Sequence, residues 1–248
     1  MGKPAGPRIL LYDLETKPNL AYCWAKYEQD VIAFEKEWEL LSFAYKWFGE
    51  KSVRFLGRNT VKSEKSLVLK LWHLLNKADI VIAHNGNSFD NKKAFAKFIE
   101  YNIRPPSKFH SIDTKLIARR YFKFNSNSLK DIANTLKLKA KIDPGGFELW
   151  QGCMRGCKRS WAKMERYNKR DVEVLEQIYL RVRPFITNHP HIGLFSDRPT
   201  SCPNCGSEKI QSRGYAHTRT SQYTRYQCCN CGSWSRGKAR TKTRVETV

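Results

Sequence analysis

The segment Ile9-Leu10-Leu11-Tyr12-Asp13-Leu14-Glu15 constrains the fold more than any other part of the chain. In a strand, successive side chains point to opposite faces, so Ile9, Leu11, Asp13 and Glu15 share one face while Leu10, Tyr12 and Leu14 share the other. A strand that is apolar on both faces is covered on both, which predicts a central position in its sheet. The two acids then emerge where the strand ends, and open α/β sheets place their ligand sites at that carboxyl end. Taken alone, an Asp-x-Glu at a strand end is also what a solvated surface looks like.

The remaining pattern predicts a mixed sheet with helices packed on it, an α/β fold. Residues 39–57 read as two strands joined as a hairpin across Gly49-Glu50-Lys51. Residues 63–78 have helical apolar spacing, with Ser63 placed to cap toward Ser66. Strands are predicted at 79–86 and 109–113, and helices at about 91–101, 114–121, 128–137 and 160–182. The glycine-rich stretch 143–157 reads as loop, and 188–200, with two prolines and little periodicity, reads as a linker. The division expected is 1–187 for the large domain, 188–200 for the linker, 201–236 for a cysteine-bearing module and 237–248 for a basic tail.

Two further acids bear on the first pair. Asp90 follows the 79–86 strand and opens a helix, where it can cap orphan N–H groups or face the same sheet end as Asp13 and Glu15. Asp171 is harder to explain as surface. Met164, Tyr167, Asp171, Val174, Ile178 and Val182 form one helical stripe, so the carboxylate sits in the middle of an apolar face. A buried, unpaired carboxylate costs several kcal/mol or shifts its pKa. Four carboxylates at one sheet end would repel one another, and divalent cations remove that conflict. An all-oxygen ligand set favours Mg²⁺ or Mn²⁺, and a pair of such ions is suited to phosphodiester hydrolysis.

The charge balance points the same way. Forty-five basic against twenty-three acidic residues give a formal net charge of +22. Such a surface attracts polyanions, nucleic acid first among them. With 41% hydrophobic residues the chain is globular, and no apolar run approaches the ~20 residues of a membrane span. The start MGKPAGPRIL lacks the apolar stretch of a secretory leader, so a cytoplasmic, reducing location is expected.

Asp13-x-Glu15, then Asn85 with Phe89-Asp90, then Tyr167-x-x-x-Asp171, resembles in order and spacing the motifs of DEDD nucleases. These belong to the DnaQ-like branch of the ribonuclease H-like superfamily, and the resemblance spans roughly residues 7–186. It implies a ribonuclease H-like fold with Asp13, Glu15, Asp90 and Asp171 as ligands of two Mg²⁺ or Mn²⁺. Tyrosine at 167, with Arg166 where the other branch carries histidine, resembles the DEDDy type, in which the tyrosine orients the attacking water. The activity implied is 3′→5′ exonuclease action by a two-metal-ion mechanism, with 5′-mononucleotides released. Single-stranded DNA is the favoured substrate and RNA is possible. A structure-specific endonuclease on the same fold, or a non-catalytic binding protein, is the alternative. Asn85, Lys115, Arg119 and Arg120 are candidate nucleic-acid contacts, although a solvated face explains the three cations as well. Asp113 reads as a strand end and helix cap, and His84 as a packed strand-end residue.

Cys202, Cys205, Cys228 and Cys231 form two C-x2-C pairs separated by 22 residues, a spacing that suits one structural Zn²⁺. The intervening Tyr-, Thr- and Arg-rich segment predicts strands, so the module resembles a zinc ribbon. Residues 196–248 hold ten basic and three acidic residues, and Arg225 and Trp234 are candidate nucleic-acid contacts there. A partner complex of replication or recombination is compatible with either function.

Overall fold

The computed structural model of the protein describes residues 6–27, 30–138 and 142–242. Strand β1 is Ile9–Thr16. A separate two-stranded sheet, β2 (Leu20–Tyr22) with β3 (Ala33–Lys36), follows it. The sequence gives no periodic signal for these two strands because most of their side chains are solvent-exposed. The expected hairpin is β4 (Leu40–Trp47) and β5 (Arg54–Gly57), paired antiparallel. Helix α1 (Glu64–Lys77) starts where Ser63 Oγ accepts the Ser66 N–H. There follow β6 (Ile80–Ala83), α2 (Asp90–Glu100), β7 (His110–Asp113), α3 (Thr114–Tyr121), α4 (Leu129–Thr135) and α5 (Glu148–Met154). The long α6 is Lys158–Val182.

The main sheet has the order β5-β4-β1-β6-β7, with β1 in the middle as its two apolar faces require. It pairs antiparallel with β4 and parallel with β6, so the sheet is mixed. Leu10, Tyr12 and Leu14 pack with Leu67, Leu71 and Leu75 of α1 and Ala94 and Phe98 of α2. Each fully buried leucine contributes roughly 1.5–3 kcal/mol. A second cluster joins Leu41 to Trp161, Met164 and Tyr167 of α6, with Leu149 and Cys153 of α5.

Helix α5 corrects the sequence reading of 143–157 as loop. Its glycines hide a short amphipathic turn, Leu149 and Cys153, whose helicity depends on packing against α6 rather than on local propensity.

The chain divides into two compact units, one of them Arg8–Ile178 and the other holding Tyr179–Val248. In the second unit, β8 (Ile210–His217), β9 (Ser221–Cys228) and β10 (Trp234–Lys242) form an antiparallel sheet in the order β10-β9-β8. Strand β10 therefore runs into the segment expected to be a basic tail, while residues 243–248 lie outside the described residues. Residues 188–200 are more than a linker. The Ile192 N–H donates to the Pro203 carbonyl, and a short 3₁₀ turn covers Ile192–Ser196. His189 is buried and its pKa is pushed down to about 4 by desolvation. Its Nδ1–H donates to the Pro190 carbonyl, so neutral Nε2 accepts from the Tyr179 hydroxyl. No helix among the described residues is long and apolar enough to cross a membrane.

Candidate active site

Asp13 and Glu15 leave β1 on the face opposite Leu10 and Leu14, which are committed to the α1/α2 core. Asp171 comes from the middle of α6, where Met164, Tyr167, Val174 and Ile178 of the predicted stripe are buried with it. One carboxylate oxygen from each of Asp13, Glu15 and Asp171 lies within 4.8 Å of the others. These three acids line a cleft of about 320 Å³ together with Asn85, Asp90 and Tyr167.

Asp90 lines this cleft but does not belong to the 4.8 Å group. It is 3% exposed, and its Oδ1 accepts the Leu14 N–H at 3.1 Å. Desolvation pushes its pKa up to about 7 against the opposing pull of the backbone N–H groups. Burial also raises the Tyr167 hydroxyl far above its ordinary value, and the charges of Asp171, Glu15 and Asp13 add to the shift. The phenol therefore keeps its proton and acts as a donor at neutral pH. Its ring packs edge-on against Trp150, with centroids 6.0 Å apart.

Several positioning residues carry no obvious sequence signal. Asn168 is fully buried, and its Nδ2 donates to both the Asp13 carbonyl (3.1 Å) and Asp13 Oδ2 (2.7 Å). Ser42 Oγ donates to Asn168 Oδ1 at 3.3 Å. The available hint was asparagine in a helix interior, where it is a poor former. Asp113 is indeed a cap, since its carboxylate accepts the N–H groups of Asn85, Asn87, Lys115 and Leu116. It thereby fixes the turn after β6, in which Asn85 adopts φ +73°. The nitrogens of His84 contact Thr114 Oγ1 and the Asn127 carbonyl, as a packed strand-end residue requires.

Lys115 lines the cleft, whereas Arg119 and Arg120 are exposed near the end of α3 and do not line it. Arg225 stacks 4.8 Å from the ring centroid of Trp234 on the sheet of the second unit.

In that unit the four cysteine sulfurs also lie within 4.8 Å of one another. Cys202 and Cys231 are 3.7 Å apart and Cys205 and Cys228 are 3.6 Å apart, too far for an S–S bond of about 2.05 Å. Thiolates around one tetrahedral ion with bonds of about 2.3 Å would stand about 3.8 Å apart. The knuckles repeat one backbone pattern. Gly206 N–H donates to the Cys202 carbonyl as Gly232 N–H does to Cys228, at φ +73° and +79°. Burial works against the Cys228 thiolate, but the Cys231 and Asn230 N–H groups bring its pKa down to about 7.

A pH effect follows from Asp90. Its native pKa lies above the unfolded value of 3.8, so the native state holds more protons between about pH 4 and 7. Without divalent cations, this group makes the protein less stable as pH rises through that window, by up to about 4 kcal/mol. Asp90→Asn keeps the acceptor for Leu14 and removes the charge. It is expected to raise the melting temperature of the cation-free protein at pH 8 and to flatten its pH dependence, as read by thermal melts from pH 4 to 8.

The profile of the RNase_H superfamily matches residues 34–183, a span that holds Asp90, Tyr167 and Asp171 and begins after Asp13 and Glu15. No curated protein matches the sequence. Among solved structures, the chain is similar to the family B DNA polymerase from the hyperthermophilic archaeon Pyrobaculum calidifontis, with 11% identity and a TM-score of 0.50. That similarity covers 74% of this chain and 26% of the polymerase, so the chain spans about a quarter of that protein, and the likeness is one of fold. The profile match takes in β4 to β7 of the main sheet and helices α1 to α6, and this mixed sheet with flanking helices is a nuclease-type fold. Because the profile match extends over more than half of the chain, the protein belongs to the RNase_H superfamily.

Proposed function

We propose that the protein is a DEDDy-type 3′→5′ exonuclease acting on single-stranded nucleic acid, with DNA preferred. The observation that carries this reading is the convergence of Asp13, Glu15 and Asp171, brought from two elements more than 150 residues apart to within 4.8 Å. A cluster of acids at the heart of a chain of net charge +22 is costly unless cations occupy it. Its all-oxygen donors fit Mg²⁺ or Mn²⁺. When bound, two such ions supply the charge that makes water a nucleophile at neutral pH and stabilises the leaving oxygen.

The chain's own residues orient the reaction. Asn168 holds Asp13 Oδ2 in one direction, so that ligand is preorganised rather than free to rotate. Tyr167, which keeps its proton and hydrogen-bonds Asp171, places its hydroxyl oxygen to orient the attacking water. Asp113 shapes the Asn85 turn at the cleft rim. In the second unit, Cys202, Cys205, Cys228 and Cys231 hold one structural Zn²⁺ as a zinc ribbon.

That ribbon binds the nucleic acid. Arg225 and Arg236 pair directly across β9 and β10, and among the described residues neither makes an ion pair. Like charges directly opposed across strands are destabilising until an anion joins them. They flank Trp234, at 4.8 Å from Arg225, and Tyr223, at 4.4 Å from Arg236, which provide faces for base stacking. Trp234→Ala is expected to weaken binding of a single-stranded oligonucleotide by roughly 5- to 100-fold, measured by fluorescence anisotropy.

The testing experiment uses DNA and RNA oligonucleotides labelled at either end, with Mg²⁺ or Mn²⁺, beside Asp13→Ala protein. The expected result is a 5′-labelled ladder shortening from the 3′ end, absent in the variant. Discrete internal cuts would make the enzyme an endonuclease, and binding with no cutting by any protein would leave the ribbon as the function.

A further inference from the structure

A second concavity, of about 690 Å³, lies on the same unit as the carboxylate cleft and is lined by Lys17, Arg58, Asn59, Lys158, Trp161 and Glu165, among others. The two sites share their elements. Glu15, next to the end of β1, lines the cleft, and Lys17 follows two residues later. Tyr167 and Asp171 of α6 face the cleft, while Trp161 and Glu165 of the same helix face the concavity. Along α6, Glu165 and Trp161 stand six and ten residues before Asp171, about 9 and 15 Å of helix rise.

Arg58 is the unusual group there. Its Nε and Nη1 are buried and have no hydrogen-bond partner. Buried donors are nearly always satisfied, and one left unpaired is costly, more so on a charged group. The nearby carboxylates are engaged elsewhere. Glu165 accepts from Lys169 at 2.6 Å. Glu39 accepts from Lys17, and its pKa, raised by burial, is brought below the usual carboxylate value by Lys17 first and by Arg58 at longer range.

The backbone that carries Arg58 is also held in place. The Arg58 N–H donates to the Leu41 carbonyl at 3.0 Å, and the turn closes through the Thr60 N–H to the Gly57 carbonyl at 2.9 Å. A Cβ on Gly57 would stand 2.7 Å from the Trp161 ring, so this close approach to α6 requires glycine. Lys17 is paired with Glu39, which leaves Lys158 and the planar donor fork of Arg58, with its unused N–H groups, as the chemistry of a phosphate site.

We propose that this concavity holds a phosphate group of nucleic acid, with Arg58 as the anchoring donor and Lys158 adding a second charge. The assignment to a substrate strand rests on the nuclease reading, since 9–15 Å is the reach of a few nucleotides from the carboxylates. The same oxyanion chemistry comes from an internal diester of the bound strand or from a terminal monoester, such as the 5′-phosphate of a released nucleotide.

The test uses the full chain without added Mg²⁺ or Mn²⁺, so that binding is read without cleavage. The probes are a fluorescent single-stranded oligonucleotide carrying a 5′-phosphate and the same strand without it, each titrated over a range of salt. Arg58→Met is expected to weaken binding roughly 10- to 100-fold and to lower the slope of log K against log salt by about 0.7. Arg58→Lys, which keeps the charge and loses the fork, should fall between the two, and Lys158→Met should show the same loss of slope. Inorganic phosphate and a 5′-mononucleotide serve as competitors. A loss in Arg58→Met seen with both probes assigns an internal diester, and a loss confined to the 5′-phosphorylated probe assigns a terminal monoester. Wild-type affinity and slope in both Arg58→Met and Lys158→Met would overturn the proposal. Because Arg58→Met removes unsatisfied donors, its melting temperature in phosphate-free buffer should not fall. Should it fall, the Lys158→Met titration decides. Arg58-dependent binding by a protein that never cuts would refute the nuclease reading and leave the phosphate site standing. Cutting with Arg58-independent binding would do the reverse.

Discussion

Asp171→Asn is expected to lower the rate of phosphodiester cleavage by at least about a thousandfold while the protein stays folded. The side chains have nearly the same shape, so the buried α6 stripe around position 171 keeps its packing. What disappears is a negative charge whose oxygen lies within 4.8 Å of Asp13 and Glu15. Losing a ligand charge from such a set removes several kcal/mol of transition-state stabilisation, and 1.36 kcal/mol is tenfold in rate. Without divalent cations the same change removes a buried charge, so the melting temperature should hold or rise. That opposition separates a functional carboxylate from a structural one. Initial rates on a 5′-labelled oligonucleotide and melts of the cation-free protein measure both sides. An Asp171→Asn protein that cuts within a few-fold of wild type, or that melts well below it, would remove Asp171 from the catalytic set.

Removing zinc, or replacing Cys205 by serine, is expected to unfold the ribbon while Arg8–Ile178 keeps its cooperative transition. Most side chains of β8 and β9 are exposed or only half-buried, so this sheet has little apolar core of its own. Structural zinc contributes on the order of 10–16 kcal/mol to folding in comparably small modules, more than such a core supplies. Limited proteolysis should then cleave between residues 206 and 227, and oligonucleotide binding through Arg225 and Trp234 should fall with it. Metal analysis should return one zinc per chain. A chelator should reproduce the effect and a reductant should not, because the sulfurs stand 3.6 and 3.7 Å apart, too far to be bonded pairs. A reductant that unfolds the ribbon would mean disulfides.

Much of the site was legible because its signals are local. An apolar strand ending in two acids, and a carboxylate on the apolar face of a helix, break the rule that buried faces are uncharged. Such breaks are read directly from periodicity. The cysteine pairs were legible for a related reason, since tetrahedral sulfur ligation demands a short, repeated spacing. Helix α5 and the strands β2 and β3 were not. Leu149 and Cys153 are helical because α6 offers them a surface, and the exposed residues of β2 and β3 show no alternation.

Asn168 and Arg58 mark the boundary most clearly. Neither residue type, nor its neighbours in the chain, indicates that Asn168 grips Asp13 from 155 positions away or that two nitrogens of Arg58 are buried and unused. The sequence alone indicated the central strand, the candidate acids, the cysteine pairs and the excess of positive charge, because each follows from side-chain chemistry at fixed local spacing. Only the tertiary structure decided which acids stand within 4.8 Å of one another, which hold them in place and which donors remain unsatisfied. Distances between residues far apart in the chain are set by how sheet and helices pack, and no local period encodes them.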